Sequence, residues 1–356
     1  MSRSGRRLRV LVAEGSPVAH RLIVSILNGD PELQVIAEAE DGDQAVQLAI
    51  RIRPDVIVMD VVMPSMSGVE ATRTIMESLP TPIVLVSPIN GASDPSKSFE
   101  ALEAGALALL PKPSGRQAST FAADAATLTT TVKLMADVKL VRRARRASRP
   151  ELVAGPEPAS ARELRQPVEI IAIAASTGGP AALATVVGAL PRTTPVPIVV
   201  VQHMMEGFHQ GLVDWLDRRS PVSVRLARSG EALRAGELLV APSGAHLGVT
   251  GAGTVALSRD PPIGGHRPSA THLFRSVAGA YGARGVGVIL TGMGEDGVPG
   301  LRALKEAGGL VLAQDEATSV VYGMPRKAVA LGIVDQVLPV DRMAGALIAA
   351  WNGGKR

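Results

Sequence analysis

The chain contains no cysteine, which excludes disulfides, thiolate metal sites and thiol nucleophiles. Aromatic residues make up only 2% of it, although 46% is hydrophobic, so its cores must be built from Val, Ile, Leu and Ala. Such cores suit parallel sheets covered by helices, whose strands read as short continuous apolar runs. No apolar run reaches the ~18 residues of a membrane-spanning helix. The basic start, Met1–Arg9, leads into a strand-like run rather than a signal-peptide core. A cytoplasmic protein that is not inserted in a membrane is expected. A length of 356 residues implies two domains at ~100–200 residues each.

Charge is nearly balanced, at a formal +4, but unevenly placed. Between Lys139 and Arg149 the charged residues are all basic: Lys139, Arg142, Arg143, Arg145, Arg146 and Arg149. Such a run can steer a protein towards acidic partners. No aromatics interleave with it to stack on bases, so the plainer reading is a solvated linker flank, and no nucleic-acid partner is expected.

Two α/β blocks flank a polar stretch with Pro150, Pro156, Pro158 and Pro167, which reads as linker. The expected domains are 8–130 and 168–352, joined by 131–167. In the first block, apolar runs at Arg9–Ala13, Val35–Ala39, Val56–Met59, Ile83–Val86 and Leu107–Leu110 alternate with helical patterns. This pattern predicts a doubly wound, five-stranded parallel sheet. The second block repeats the alternation at Glu169–Ala174, Ile198–Gln202, Gly285–Leu290 and Gly309–Ala313. Between them the runs Glu237–Ala241, His246–Val249 and Thr254–Leu257 read as a small antiparallel insertion in a mostly parallel α/β domain.

In open parallel sheets, functional groups collect beyond the carboxyl ends of the strands. In the first block Asp60, Ser87 and Lys112 stand there: a carboxylate, a hydroxyl and an ammonium fit for phosphoryl transfer. Alone, a strand-end Asp is as readily structural. The segment Pro54-Asp55-Val56-Ile57-Val58-Met59-Asp60, followed by Met63-Pro64 and Gly68, resembles the phosphoacceptor segment of response-regulator receiver domains. Ser87 and Pro111-Lys112-Pro113 match that family's switch and lysine positions. The resemblance implies phosphorylation of Asp60 by a histidine kinase with Mg²⁺ held by carboxylates, here Glu14 and Asp60. The family usually carries paired acids after its first strand, whereas this chain has Glu14-Gly15. Mg²⁺ relies on one or two carboxylates, so weakened metal binding and phosphorylation are expected.

In the second block the first strand runs into Ala175-Ser176-Thr177-Gly178-Gly179-Pro180, a glycine turn with a helix opening at Pro180. Ser176 there can be a nucleophile beside an oxyanion site, an anion-binding residue or part of a plain turn. At this turn neither G-x-G-x-x-G nor G-x-x-x-x-G-K-[ST] occurs, and Ala174 stands at the first glycine position of a G-x-S-x-G elbow. His203 ends the apolar strand Ile198–Val201, either as a base or as a structural residue. His209, six residues on, is out of register for a helical metal pair. In Thr291-Gly292-Met293-Gly294-Glu295-Asp296-Gly297, Asp296 can orient an imidazole, leaving its Nε2 side for the serine proton. It can also cap a helix, and Glu295 is its rival.

These segments, with Gln202-His203-Met204, Ala241-Pro242-Ser243-Gly244, Arg267-Pro268-Ser269, Gln314 to Thr318 and Gly323-Met324-Pro325, strongly resemble the chemotaxis methylesterase family. The resemblance spans about Val168 to Trp351. It implies Ser176 as nucleophile, His203 as base, Asp296 as orienting acid, and an oxyanion region at Thr177 and Met293. It further implies hydrolysis of glutamate methyl esters and deamidation of glutamines on chemoreceptors, with no cofactor for the esterase. A chemotaxis histidine kinase would be the phosphodonor, and phosphorylation would relieve inhibition by the receiver. Ala174 and Thr271-His272 depart from the pattern, the latter where an acid-containing pair is common. Two rival readings are an adaptor with an idle esterase and a nucleic-acid regulator. The intact Ser176, His203 and Asp296 weigh against the first, and the lack of a helix-turn-helix output block weighs against the second.

Overall fold

The computed structural model describes residues 6–88, 95–138 and 166–353. The basic run Lys139–Arg149 lies outside the described residues. Two compact units meet in sequence at Leu140 and Val141, and the segment Met204–Trp215 groups with the first.

The first unit runs β1 (Leu8–Ala13), α1 (Pro17–Gly29), β2 (Leu33–Ala39), α2 (Gly42–Ile52), β3 (Val56–Asp60), α3 (Gly68–Ser78), β4 (Ile83–Ser87), α4 (Pro95–Glu103), β5 (Ala108–Pro111) and α5 (Phe121–Ala136). Its sheet has the order β2-β1-β3-β4-β5, with every neighbour parallel. All of β3 and β4 is buried, as their unbroken apolar sequences require. Local signals set the helix starts. At α3 the Ser67 hydroxyl accepts from the Glu70 N–H, and the Glu70 carboxylate accepts from the Ser67 N–H. Strand order reverses between β1 and β3, which opens a crevice at their carboxyl ends.

The second sheet contains β6 (Ile170–Ala175), β7 (Ile198–Gln202), β8 (Ser223–Leu226), β9 (Glu237–Val240), β12 (Gly285–Ile289), β13 (Leu310–Gln314) and β14 (Gln336–Leu338). Its order is β14-β13-β12-β6-β7-β9-β8, again parallel throughout. The helices around it are α6 (Gly179–Gly188), α8 (Ala270–Tyr281), α9 (Val298–Glu306), α10 (Met324–Ala330) and α11 (Val340–Gly353), while most of α7 (His209–Asp217) groups with the first unit. β10 (His246–Val249) and β11 (Val255–Ser258) form an antiparallel hairpin. Glu237–Ala241 does not join that insertion. It supplies β9, because its apolar Leu238, Leu239 and Val240 pack in register beside β7.

From β6 the chain moves outward to one edge and later returns through β12 to build the other. The switch point therefore falls between β6 and β12, with β7 on the other flank of β6. A core including Ile170, Ala172, Val199, Leu273, Phe274 and Leu301 packs α8 and α9 against this sheet.

Candidate active site and phosphoacceptor pocket

Loops leaving the adjacent strands β12, β6 and β7 carry Asp296, Ser176 and His203. The His203 backbone is fixed first, its N–H donating to the Ala175 carbonyl at 2.9 Å. Its imidazole then reaches Asp296, with Nε2 2.8 Å from Oδ2. This reverses the expected assignment of the ring nitrogens. The far nitrogen, Nε2, meets the carboxylate, and Nδ1 is buried without a hydrogen-bond partner.

Asp296 is buried and saturated with donors. Oδ1 accepts from the Ser269 hydroxyl at 2.8 Å, the Thr271 N–H at 3.0 Å and the Gly297 N–H at 2.9 Å. Oδ2 accepts from the Ala270 N–H at 2.7 Å as well as from His203. Ala270 and Thr271 open α8, so the carboxylate sits on a helix N-terminus with its free N–H groups and positive dipole end. Burial alone would raise this carboxyl. The His203 hydrogen bond and charge, and the Thr271 hydrogen bonds, outweigh that and hold it far below the usual carboxylate range. The rival Glu295 lies at the surface and pairs with Lys327 at 3.0 Å.

Ser176 sits where β6 turns into α6. Its N–H donates to the Thr291 carbonyl at 3.0 Å, and its carbonyl accepts from the Gly179 N–H at 2.8 Å. Gly178, at φ 77°, makes the left-handed turn expected of that glycine run. The loop after β12 lies close against the serine. A Cβ on Gly292 would stand 2.7 Å from the Ser176 Cβ and 2.4 Å from the Met324 sulfur, so only glycine fits. Met293 is next in this loop and 47% exposed, while the Thr177 carbonyl accepts from the Thr291 hydroxyl at 2.9 Å. No hydrogen bond joins the Ser176 hydroxyl to His203 among the described residues, a common looseness in free enzymes.

In the first unit, Lys112 Nζ bridges Glu14 Oε1 at 2.7 Å and Asp60 Oδ2 at 2.8 Å. Asp60 Oδ1 also accepts from the Val62 N–H at 3.2 Å. Burial raises the Asp60 carboxyl to about 6, assisted by the Glu14 charge and opposed by Lys112. Burial disfavours the Lys112 ammonium, but its hydrogen bonds to Asp60 and Glu14 prevail and push its pKa up. Ser87 is tied into the same end of the sheet, its carbonyl accepting from the Lys112 N–H at 3.0 Å. The Ser98 hydroxyl donates to that of Ser87 at 3.3 Å. Glu14 Oε2 is buried with no partner, an oxygen suited to a hard cation. Among the described residues no cluster of three or more ligating side chains occurs. Glu14 and Asp60 nevertheless suit Mg²⁺, which takes one or two carboxylates and keeps several waters.

The chain matches the response regulator receiver domain over residues 10–122 and the CheB methylesterase over residues 171–347. Protein-glutamate methylesterase/protein-glutamine glutaminase 4 of Myxococcus xanthus (strain DK1622) is 48% identical to it over 97% of this chain and 98% of that protein. The chain belongs to the CheB methylesterase family. Anaeromyxobacter dehalogenans (strain 2CP-C) has a similar relative, protein-glutamate methylesterase/protein-glutamine glutaminase 3, also 48% identical and covering 97% of this chain and 99% of that protein. The crystal structure of the Thermotoga maritima CheB methylesterase catalytic domain is 38% identical. It superposes with a TM-score of 0.50, covering 51% of this chain and 97% of that one.

As a CheB-type hydrolase with a receiver domain, the chain shows how its departures are absorbed. Thr271, the first residue of the departing pair Thr271-His272, gives its N–H to Asp296 and accepts from the Gly297 N–H through its hydroxyl at 2.9 Å. Two buried glutamines, quoted in the sequence only within matching segments, tie these loops together. Gln202 closes β7, and its Nε2 donates to the Ser176 and His203 carbonyls, both at 2.8 Å. Gln314 closes β13, accepts from the Thr291 N–H at 2.8 Å and donates to the Thr318 carbonyl at 2.8 Å. An amide ending an apolar strand is the signal that could have found both. Ser269, quoted in the sequence only within a matching segment, caps α8 and donates its hydroxyl to Asp296.

Proposed function

We propose that this chain is a receiver-regulated protein-glutamate methylesterase and protein-glutamine glutaminase acting on methyl-accepting chemoreceptors. The observation that carries the reading is the His203–Asp296 couple at 2.8 Å, beside the Ser176 turn at the switch point of one parallel sheet. Ser176 Oγ attacks the side-chain carbonyl of the receptor glutamyl ester, and its proton passes to His203 Nδ1, the nitrogen not bonded to Asp296. Asp296 orients the ring and stabilises the imidazolium. The backbone N–H groups of Thr177 and Met293 hold the tetrahedral oxyanion. His203 returns the proton to the departing methanol, and water then cleaves the acyl-enzyme by the reverse relay. With a glutamine substrate, ammonia leaves instead. The esterase step needs no cofactor. A fluorophosphonate probe should label Ser176, and His203→Ala should abolish that labelling. Labelling on another residue, read by peptide mass spectrometry, would overturn the assignment.

The domains are 8–130 and 168–352, joined by 131–167. A fragment starting near residue 163 should fold alone and hydrolyse methyl esters at least as fast as the full chain. An insoluble or slower fragment would count against both the boundary and inhibition by the receiver. No helix of the described residues is long and apolar enough to cross a membrane.

In the receiver, a chemotaxis histidine kinase would phosphorylate Asp60, with Lys112 clamping the phosphoryl group and Ser87 reading it. Mg²⁺, held by Glu14 and Asp60, would neutralise charge on the transferring phosphoryl group. Gly15 adds no carboxylate, so weak metal binding is expected. Glu14→Ala should then abolish Mg²⁺-dependent labelling of Asp60 by acetyl phosphate. Gly15→Asp should lower the Mg²⁺ needed but also lower Tm, because a Cβ there would stand 2.9 Å from Pro64 Cδ in the loop following Asp60. Brisk labelling of Glu14→Ala at low Mg²⁺ would refute the ligand assignment.

A further inference from the structure

One imidazole beside the site plays no part in the relay. Ile263 and His266 exchange backbone hydrogen bonds at 3.1 and 3.0 Å. Between them Gly264 and Gly265 both have positive φ, 58° and 84°, the signature of a tight two-residue hairpin turn. Three residues beyond His266, Ser269 caps α8 and bonds Asp296. His266 is thus held from both sides, by the turn and by the helix start that carries the site's carboxylate. Its ring lies flat on that of His203, with centroids 4.1 Å apart and planes at 8°. Asp296 fixes an edge of the His203 ring, but a single hydrogen bond leaves the ring free to rock about that axis. The stacked face removes this freedom.

We propose that His266 is a positioning residue of the esterase, its stacked ring fixing the plane of His203 so that Nδ1 faces Ser176 and imidazolium can form. This rests on the Ser176, His203 and Asp296 reading above. Neutrality is essential, since two stacked cations at this distance would repel and oppose protonation of His203 during the reaction. Burial, and then the neighbouring His203 charge, lower the His266 pKa, while Asp296 opposes them. These groups, one after β7 and one before α9, are the ionisable ones that act on it from the facing loops. As pH falls, His266 gains a proton, and its positive charge then lies against the ring that must itself become a cation during the reaction.

The test uses the full chain with His266→Ala and His266→Phe, measuring methanol release from methylated receptor membranes across pH. His266→Ala should lower kcat by roughly 10- to 100-fold, the cost of a catalytic group displaced by up to an ångström, with little change in KM. His266→Phe, a flat ring that cannot titrate, should recover most of kcat. The acid limb of log kcat against pH should steepen beyond a slope of one in the unmodified protein and stay near one in His266→Phe. An unchanged kcat in His266→Ala, or a His266→Phe as slow as His266→Ala with an unaltered acid limb, would overturn the proposal. Proton NMR titration of the histidine rings reads the coupling without turnover. The His203 titration should move in His266→Phe, and an unmoved one overturns the stack even if receptors prove not to be substrates. Inactivity of the unmodified chain on receptors, with a moved His203 titration, would instead count against the proposed function alone.

Discussion

Ser176→Ala is expected to lower kcat for demethylation by on the order of 10⁶ while leaving Tm within a degree or two of the parent. Members of a nucleophile–base–acid relay act as a unit, so losing the nucleophile removes nearly all that the relay supplies. The fold should tolerate the change. The Ser176 backbone, not its hydroxyl, makes the contacts that hold the turn to Thr291, Gly179 and Gln202. The deamidase activity should fall in parallel, since both reactions pass through the same acyl-enzyme. A variant that kept deamidation while losing demethylation would require a second site.

Asp296 should show a different profile, because the same carboxylate serves catalysis and folding. Asp296→Asn keeps the volume but presents an amide to donors, and an amide in place of an orienting carboxylate costs about 10⁴ in kcat. Asp296→Ala strips the acceptor from Ser269, Ala270, Thr271, Gly297 and His203. Removing one partner of such a buried charged network costs roughly 3–5 kcal/mol, measurable by urea denaturation. The pH dependence follows from linkage. The folded-state pKa is depressed below the ordinary 3.8, so the carboxylate's contribution to stability is complete well above pH 3.8. That contribution is lost as pH falls towards the folded-state value, and Asp296→Asn should abolish this part of the acid sensitivity. Identical acid unfolding curves for parent and Asp296→Asn would show that the network does not stabilise the fold.

The parts of the fold written into local sequence were legible. Runs such as Val56-Ile57-Val58-Met59 and Ile198-Val199-Val200-Val201 leave no alternative to buried parallel strands. Ser67 with Glu70 announces a helix start. The short edge strands β8 and β14 escaped because Ser-Val-Arg-Leu and Gln-Val-Leu are too brief and too polar to show a period. Glu237–Ala241 was misassigned because neighbouring sequence pointed to a hairpin, whereas its pairing with β7 spans a long separation. At the site, residue types at strand ends were visible and their partners were not. Asp296 and Glu295 look alike in sequence. Residue type and spacing leave them level, the family resemblance picks Asp296, and the physical reason is the N-terminus of α8, folded in from an earlier segment. The choice of His203 nitrogen, the Gln202 bridge and the His266 stack depend likewise on where three loops meet.

The most direct test of the account is methanol release from methylated chemoreceptor membranes by the full chain, with and without acetyl phosphate, beside Ser176→Ala as control. Methanol should appear with the phosphodonor present, together with free receptor carboxylates, and Ser176→Ala should release none above background. Absence of methanol under both conditions, or equal release by Ser176→Ala, would contradict the assignment of this chain as a serine methylesterase of receptors.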